Sequence, residues 1–229
     1  MDMAETIHIF CSNGVKEVVL ELFPEFEDAN RVSLDVTYGP TAGIMNKIKD
    51  GAATDVYILT VEALDDLAKQ SKAAAGSRVD LARSFIGVGV RAGARHPDIG
   101  TTAAFKQSLL AAKSIAYSKL GLSGIYFPSV LERLGISAEM KPKTVLTEGM
   151  PVGAAIARGD AELGIQQISE LLPVEGVEVV GPIPDELQKV TIFAVATSPK
   201  ASDAAKTLTK FLANGFDPVT LEKLGLEAA

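Results

Sequence analysis

Apolar residues near the start of the chain change their spacing, and the change predicts a strand, a turn and a helix. Ile7, Ile9, Phe10 and Cys11 form a short run that fits a buried strand. After Ser12, Asn13 and Gly14, the residues Val15, Val18, Val19, Leu22, Phe23 and Phe26 recur at helical spacing and form one apolar face. Lys16, Glu17, Glu21, Glu25 and Glu27 lie mostly outside that face, so the helix is expected to pack against a sheet. The pattern then repeats. Val32 to Tyr38 reads as a second strand, with further strands at Asp55 to Leu59, Phe85 to Arg91, Ser114 to Tyr117, Lys143 to Leu146, Leu163 to Gln167, Val177 to Val180 and Val190 to Ala196. Helices are expected at Gly43 to Lys49, Val61 to Gln70, Thr102 to Ala111, Gly124 to Leu134, Pro151 to Arg158, Ala201 to Ala213 and Asp217 to Leu224. Strands alternating with helices predict an α/β fold with mixed, mostly parallel sheets.

The strand at Val190 to Ala196 arrives late, without a helix of its own directly before it. Such a strand is expected to return to the first sheet. That divides the chain into one lobe of residues 1–84 and 190–229 and a second of residues 85–189, with a cleft between them. Ligands in open α/β sheets bind beyond the carboxyl ends of the strands, so the turns after the first two strands are the first place to look.

Those two turns have the same make-up. Ser12-Asn13-Gly14 follows the first strand, and Gly39-Pro40-Thr41-Ala42-Gly43 follows the second. The first N–H groups of a helix have no partner within it and carry the positive end of its dipole, so such turns receive anions. Ser12 and Thr41 add hydroxyl donors, with Asn13 and Ala42 beside them on the same turns. A small oxyanion or carboxylate, held largely by uncharged groups, is the expected ligand.

Charge and composition narrow the partners. At 229 residues and 47% hydrophobic content the chain can bury a large core. Its net charge of -7 and lack of a basic run argue against nucleic acid, which is held by lysine and arginine on phosphates. No apolar run approaches the roughly 20 residues of a membrane-spanning helix, so no insertion into a membrane is expected. Met1-Asp2-Met3-Ala4-Glu5 does not read as a secretory signal, which leaves a periplasmic chain whose signal was removed, or a cytoplasmic one. The single cysteine, Cys11, lies in an apolar strand and is expected to be inert. His8 shares that strand and His96 sits in a surface turn, so neither a metal site nor a cofactor is expected. Gly87, Gly89 and Gly93 lack a following helix and so do not form a nucleotide-binding turn.

The chain resembles the periplasmic solute-binding proteins of ABC importers, in the branch of the molybdate-binding proteins. The resemblance is carried by Ser12 after the first strand, by Tyr38-Gly39-Pro40-Thr41-Ala42-Gly43, and by the run Lys49 to Ile58. Later it is carried by Ser123-Gly124-Ile125-Tyr126, Arg158 to Ile165 and the helix from Leu208 to Phe216. It implies a two-lobed type II periplasmic-binding-protein fold, a monomer, and the membrane subunits of an importer as partners. It also implies anion contacts from Ser12 and Thr41, joined by the helix starts near Ser123 and Gly149. Molybdate-binding relatives have a tyrosine where this chain has Gln167, beside Gln166. Together with Lys119 in the Tyr117 to Ser123 turn, that change fits an extended organic carboxylate better than a compact dianion. Some proteins of this branch resemble aconitate isomerase, and for that alternative Glu148 is the candidate base and Lys119 a further catalytic candidate. A ligand-sensing module is a third class, but no signalling or DNA-binding segment is visible to support it.

Overall fold

The computed structural model describes residues 5–229. In chain order, the first part runs β1 (Thr6–Ser12), α1 (Lys16–Asn30), β2 (Ser33–Gly39), α2 (Thr41–Lys49), β3 (Val56–Thr60), α3 (Val61–Lys69) and β4 (Val79–Ser84). The middle part contains β5 (Ile86–Arg91), α4 (Thr102–Ala111), β6 (Ile115–Ser118), α5 (Leu122–Arg133), the short α6 (Ser137–Met140), β7 (Thr144–Thr147), α7 (Val152–Arg158), β8 (Leu163–Gln167), the short α8 (Ile168–Leu171) and β9 (Val177–Pro182). The chain ends with β10 (Thr191–Thr197), α9 (Asp203–Gly215), α10 (Pro218–Lys223) and β11 (Leu226–Ala228). Contacts group these elements into two compact units. One takes in the residues up to Arg83 together with Thr191–Ala229, and the other is Ser84–Val190.

The first unit holds a six-stranded sheet in the order β11-β4-β10-β3-β1-β2. β1 pairs in parallel with β2 and β3, while β10 runs antiparallel to β3. Val15, Val18, Val19, Phe23 and Phe26 are buried as their spacing requires, and Leu22 is half-buried. The Phe26 ring meets Phe211 of α9 with centroids 5.3 Å apart, so α1 packs on this helix as well as on the sheet. A side chain on Gly14 would place its Cβ 2.3 Å from the Phe193 ring, which is why the turn into α1 has room only for glycine.

The second unit holds a five-stranded sheet in the order β7-β6-β8-β5-β9. β6 is parallel to β7 and β8, whereas β5 is antiparallel to β8 and β9. Both sheets are therefore mixed. On one face Phe105, Phe127, Leu109, Ile115 and Ile165 form the main core. On the other, Ala116 of β6 packs against Val152, Ala155 and Ile156 of α7.

The entry into α5 depends on a close backbone approach. Ser118 Oγ accepts hydrogen bonds from the N–H groups of Gly121 (2.9 Å) and Leu120 (3.3 Å). A Cβ on Gly124 would stand 1.8 Å from the Ser118 carbonyl oxygen, and backbone cannot yield as a flexible side chain can. Gly124→Ala is expected to cost about 2–3 kcal/mol, the upper part of the range for overpacking, measured by urea unfolding. Unchanged stability would show that the β6 to α5 turn can shift to make room.

Candidate functional site

The parallel register sets the geometry of the first unit's turns. β1 and β2 pair from Thr6 with Ser33 to Ser12 with Gly39, so the two strands end level. α2 begins at Thr41, two residues after β2 ends, while a single 3-10 turn, Asn13–Val15, leads from Ser12 into α1. Thr41 Oγ1 donates a hydrogen bond to Ser12 Oγ at 3.0 Å, and both residues are buried. Neither Ser12 nor Pro40, the residues that precede these two helical turns, makes a side-chain cap. The Ser12 hydroxyl therefore keeps its own proton to donate, beside the helix-start N–H groups of Thr41, Ala42 and Gly43. Asn13 is half-buried on the same turn.

A cation also stands nearby. Lys16 Nζ lies 5.6 Å from the centroid of the Tyr38 ring, and Tyr38 pairs with Cys11 one residue before the strand ends. Burial, and to a lesser degree Cys11 and Glu17, push the Tyr38 hydroxyl up to about 12, so it stays a neutral donor. The helical pattern had put Lys16 outside the apolar face, which is correct. Only its position four residues after Ser12 could have shown that it stands near the strand end. Burial pushes the Cys11 thiol well above its ordinary value despite nearby Lys16, which keeps it protonated and unreactive.

In the second unit, Ser123 is buried at the second position of α5. Gly149 has φ +73° in the segment between β7 and α7, a conformation suited to glycine. Lys119 and Glu148 form an ion pair at 3.0 Å, with side chains 56% and 62% exposed. Each thus has a partner in solvent, where such a pair contributes about 0–1 kcal/mol. Gln167 is buried and its side-chain carbonyl accepts from Ser84 Oγ at 2.8 Å, which fixes the strand end where α8 begins.

Sequence reasoning passed over Glu170. It is half-buried in α8 and accepts a hydrogen bond from Gln166 Nε2 at 2.9 Å. Burial pushes its carboxyl from 4.5 up to about 7, against the smaller lowering effect of the Gln166 bond. The i, i+4 spacing to Gln166 was the available signal, but nothing in the sequence reveals the desolvation. Among the described residues no three His, Cys, Asp or Glu side chains gather closely enough to hold a metal ion, and no helix is long and apolar enough to cross a membrane. A cavity of about 550 Å³ in the first unit is lined by His8, Thr54, Asp55, Tyr57, Lys72 and Lys200. It opens by the early part of β1, roughly 13 Å of strand from Ser12.

The raised Glu170 carboxyl makes stability depend on pH. Between about 4.5 and 7 the folded protein binds a proton there that the unfolded chain releases, so stability falls as pH rises through that window. Glu170→Gln, which cannot ionise, should flatten this part of the profile and be relatively more stable at pH 8 than at pH 5. Urea midpoints taken across the range check this, and parallel profiles for the two proteins would contradict it.

Comparison with known proteins agrees with these features. A family model described as bacterial extracellular solute-binding protein matches residues 7–215. An aconitate isomerase from Pseudomonas sp is 38% identical over 97% of this chain and 87% of its own length. The molybdate-binding protein ModA of Azotobacter vinelandii is 26% identical over 84% of this chain and 78% of its own. The solved periplasmic molybdate-binding protein of Azotobacter vinelandii superposes with a TM-score of 0.75 at 17% identity, covering 97% of this chain and 99% of that one. The fold is thus that of the periplasmic binding proteins, and the chain belongs to the bacterial extracellular solute-binding protein family, in the branch that includes the molybdate-binding proteins.

Proposed function

We propose that this chain captures a small organic carboxylate at the Ser12 and Thr41 turns. The observation that carries this reading is the buried, mutually hydrogen-bonded hydroxyl pair at two level strand ends. A carboxylate oxygen only accepts, and this place offers hydroxyl and N–H donors. Hydrogen bonds to a charged acceptor contribute about 1.5–3 kcal/mol each, so about six supply about 9–18 kcal/mol before ordering costs. Micromolar affinity needs about 8.2 kcal/mol. Neutral donors therefore suffice. Ser123, Gly149, Lys119 and Gln167 are the contributions that the family resemblance adds from the second unit. A carboxylate is favoured over molybdate by Gln167 in place of a tyrosine and by the 38% identical relative, whose name is that of a tricarboxylate isomerase. Delivery to the membrane subunits of an ABC importer, in the periplasm, completes the reading and is supported by the family.

Ligand binding to the native state must stabilise it. At a hundred times the dissociation constant the gain is about 2.7 kcal/mol, which raises Tm by about 5–10 °C for a chain of this length. A panel of di- and tricarboxylates, molybdate and sulfate, read by thermal shift, should give such a rise with at least one carboxylate. Ser12→Ala and Thr41→Ala should each weaken the best ligand about 10- to 100-fold by calorimetry, and Ser123→Ala should weaken it too. No shift with any member of the panel ends the proposal.

A second reading is favoured by the same relative: that the chain interconverts the cis and trans forms of aconitate. This needs a group that takes a proton beside a carboxylate and returns it, for which Glu148, held by Lys119, is the candidate. NMR of cis-aconitate with catalytic amounts of protein decides between the two. Conversion that Glu148→Gln abolishes supports the enzyme, while stoichiometric binding without conversion leaves the binding protein.

A further inference from the structure

Lys16 is the first residue of α1, a position that disfavours a cation. The start of a helix carries the positive end of its dipole, so acidic side chains are stabilising there and a lysine is not. Glu17 follows that rule and Lys16 breaks it. The Lys16 charge also goes unneutralised, since among the described residues no carboxylate stands within ion-pair distance of it. Its neighbour is the Tyr38 ring, whose centroid lies 5.6 Å from Nζ. An aromatic face attracts a cation without cancelling its charge.

The strand register shows where this charge stands. Tyr38 pairs with Cys11, and the next pair, Ser12 with Gly39, ends both strands. The 3-10 turn Asn13–Val15 carries the chain from Ser12 to Lys16, about 8 Å at the rise of such a turn. From there the lysine stem folds back over Tyr38, so the ammonium lies toward the strand ends rather than out along α1. Its charge is felt at Cys11, the residue before Ser12, where it opposes the effect of burial. Lys16 is half-buried, so salt and water screen it less than a charge on the open surface.

We propose that Lys16 receives a second carboxylate of the ligand whose first sits on the Ser12 and Thr41 donors, which makes the site selective for di- and tricarboxylates over monocarboxylates. This rests on the carboxylate reading above and narrows its substrate class. Ser12, Lys16, Tyr38 and Thr41 all belong to the first unit. Lysine suits the role, being a compact point charge on a flexible four-carbon stem that can turn from the ring to a ligand. Tyr38 keeps the ammonium near the strand ends until then, at no loss of charge. Hydrogen bonds between an ammonium and a carboxylate are stronger than neutral ones, so a second carboxylate gains what a monocarboxylate has no group to gain.

Tricarballylate, glutarate and butyrate test this directly, because they share one three-carbon chain and differ in how many carboxylates it carries. Calorimetry on the full chain should show tricarballylate or glutarate binding about tenfold or more tightly than butyrate. Lys16→Met keeps an apolar stem over Tyr38 and removes the charge, so it should bring that ligand down to the level of butyrate and leave butyrate nearly unchanged. Lys16→Arg keeps the charge and should keep the preference. Circular dichroism confirms that each variant is folded. Equal affinities across the series overturn the inference alone and leave the carboxylate reading intact. The same holds if the preference survives in folded Lys16→Met, or if Lys16→Arg loses it as completely. If the tightest carboxylate lies outside this series, Lys16→Met should weaken it about tenfold; a monocarboxylate as that ligand, or an unchanged affinity, again overturns the inference alone. No binding by any carboxylate overturns the parent reading and the inference with it.

Discussion

Parallel pairing in register is the constraint on which this structure's chemistry depends. When β1 and β2 end level, their following turns start side by side, and a hydroxyl from one can reach a hydroxyl from the other at 3.0 Å. An offset of one residue along either strand would move its turn by about 3.3 Å and reverse the side-chain facing. Hydrophobic burial enforces the register: Ile7, Ile9 and Cys11 must remain beneath helices, and Gly14 must fit against Phe193. The core thus fixes polar groups that contribute little to the core themselves.

Much of this could be read from the sequence because strand and helix periods differ so clearly here. The expected helix at Thr102 to Ala111 and the strand at Leu163 to Gln167 match the structure at both ends. β4 and β11 escaped, for physical reasons. β4 carries Asp80 and Arg83 among its apolar residues, and Arg78 just before it pairs with Asp65 and Asp80, so its pattern reads as a solvated connection. β11 is three residues long at the sheet's edge, below the length at which alternation can be recognised. The expected mixed sheets are present, but which strands run antiparallel, β10 against β3 and β5 against β8 and β9, depends on how the chain re-enters a sheet, and local periodicity carries no record of that.

The candidate site was legible where it is local. Ser12 and Thr41 stand at turns whose composition announces them. The ion pair of Lys119 with Glu148 was not legible, because it depends on β6 and β7 being neighbours. The desolvation of Glu170 was also hidden, since it arises from packing between α8 and the sheet. A residue's partner across a sheet is set by topology, and topology is the part of a fold that one sequence specifies least directly.

In the first unit the Thr41 hydroxyl spends its proton on Ser12, which leaves the Ser12 proton and the N–H groups at the start of α2 as the donors of these turns. Groups that only donate fit a partner that only accepts, and this is the physical ground on which the carboxylate proposal stands. The same donors meet every carboxylate alike, because every carboxylate presents the same acceptors, so they bear on general affinity for an anion and not on the choice among anions.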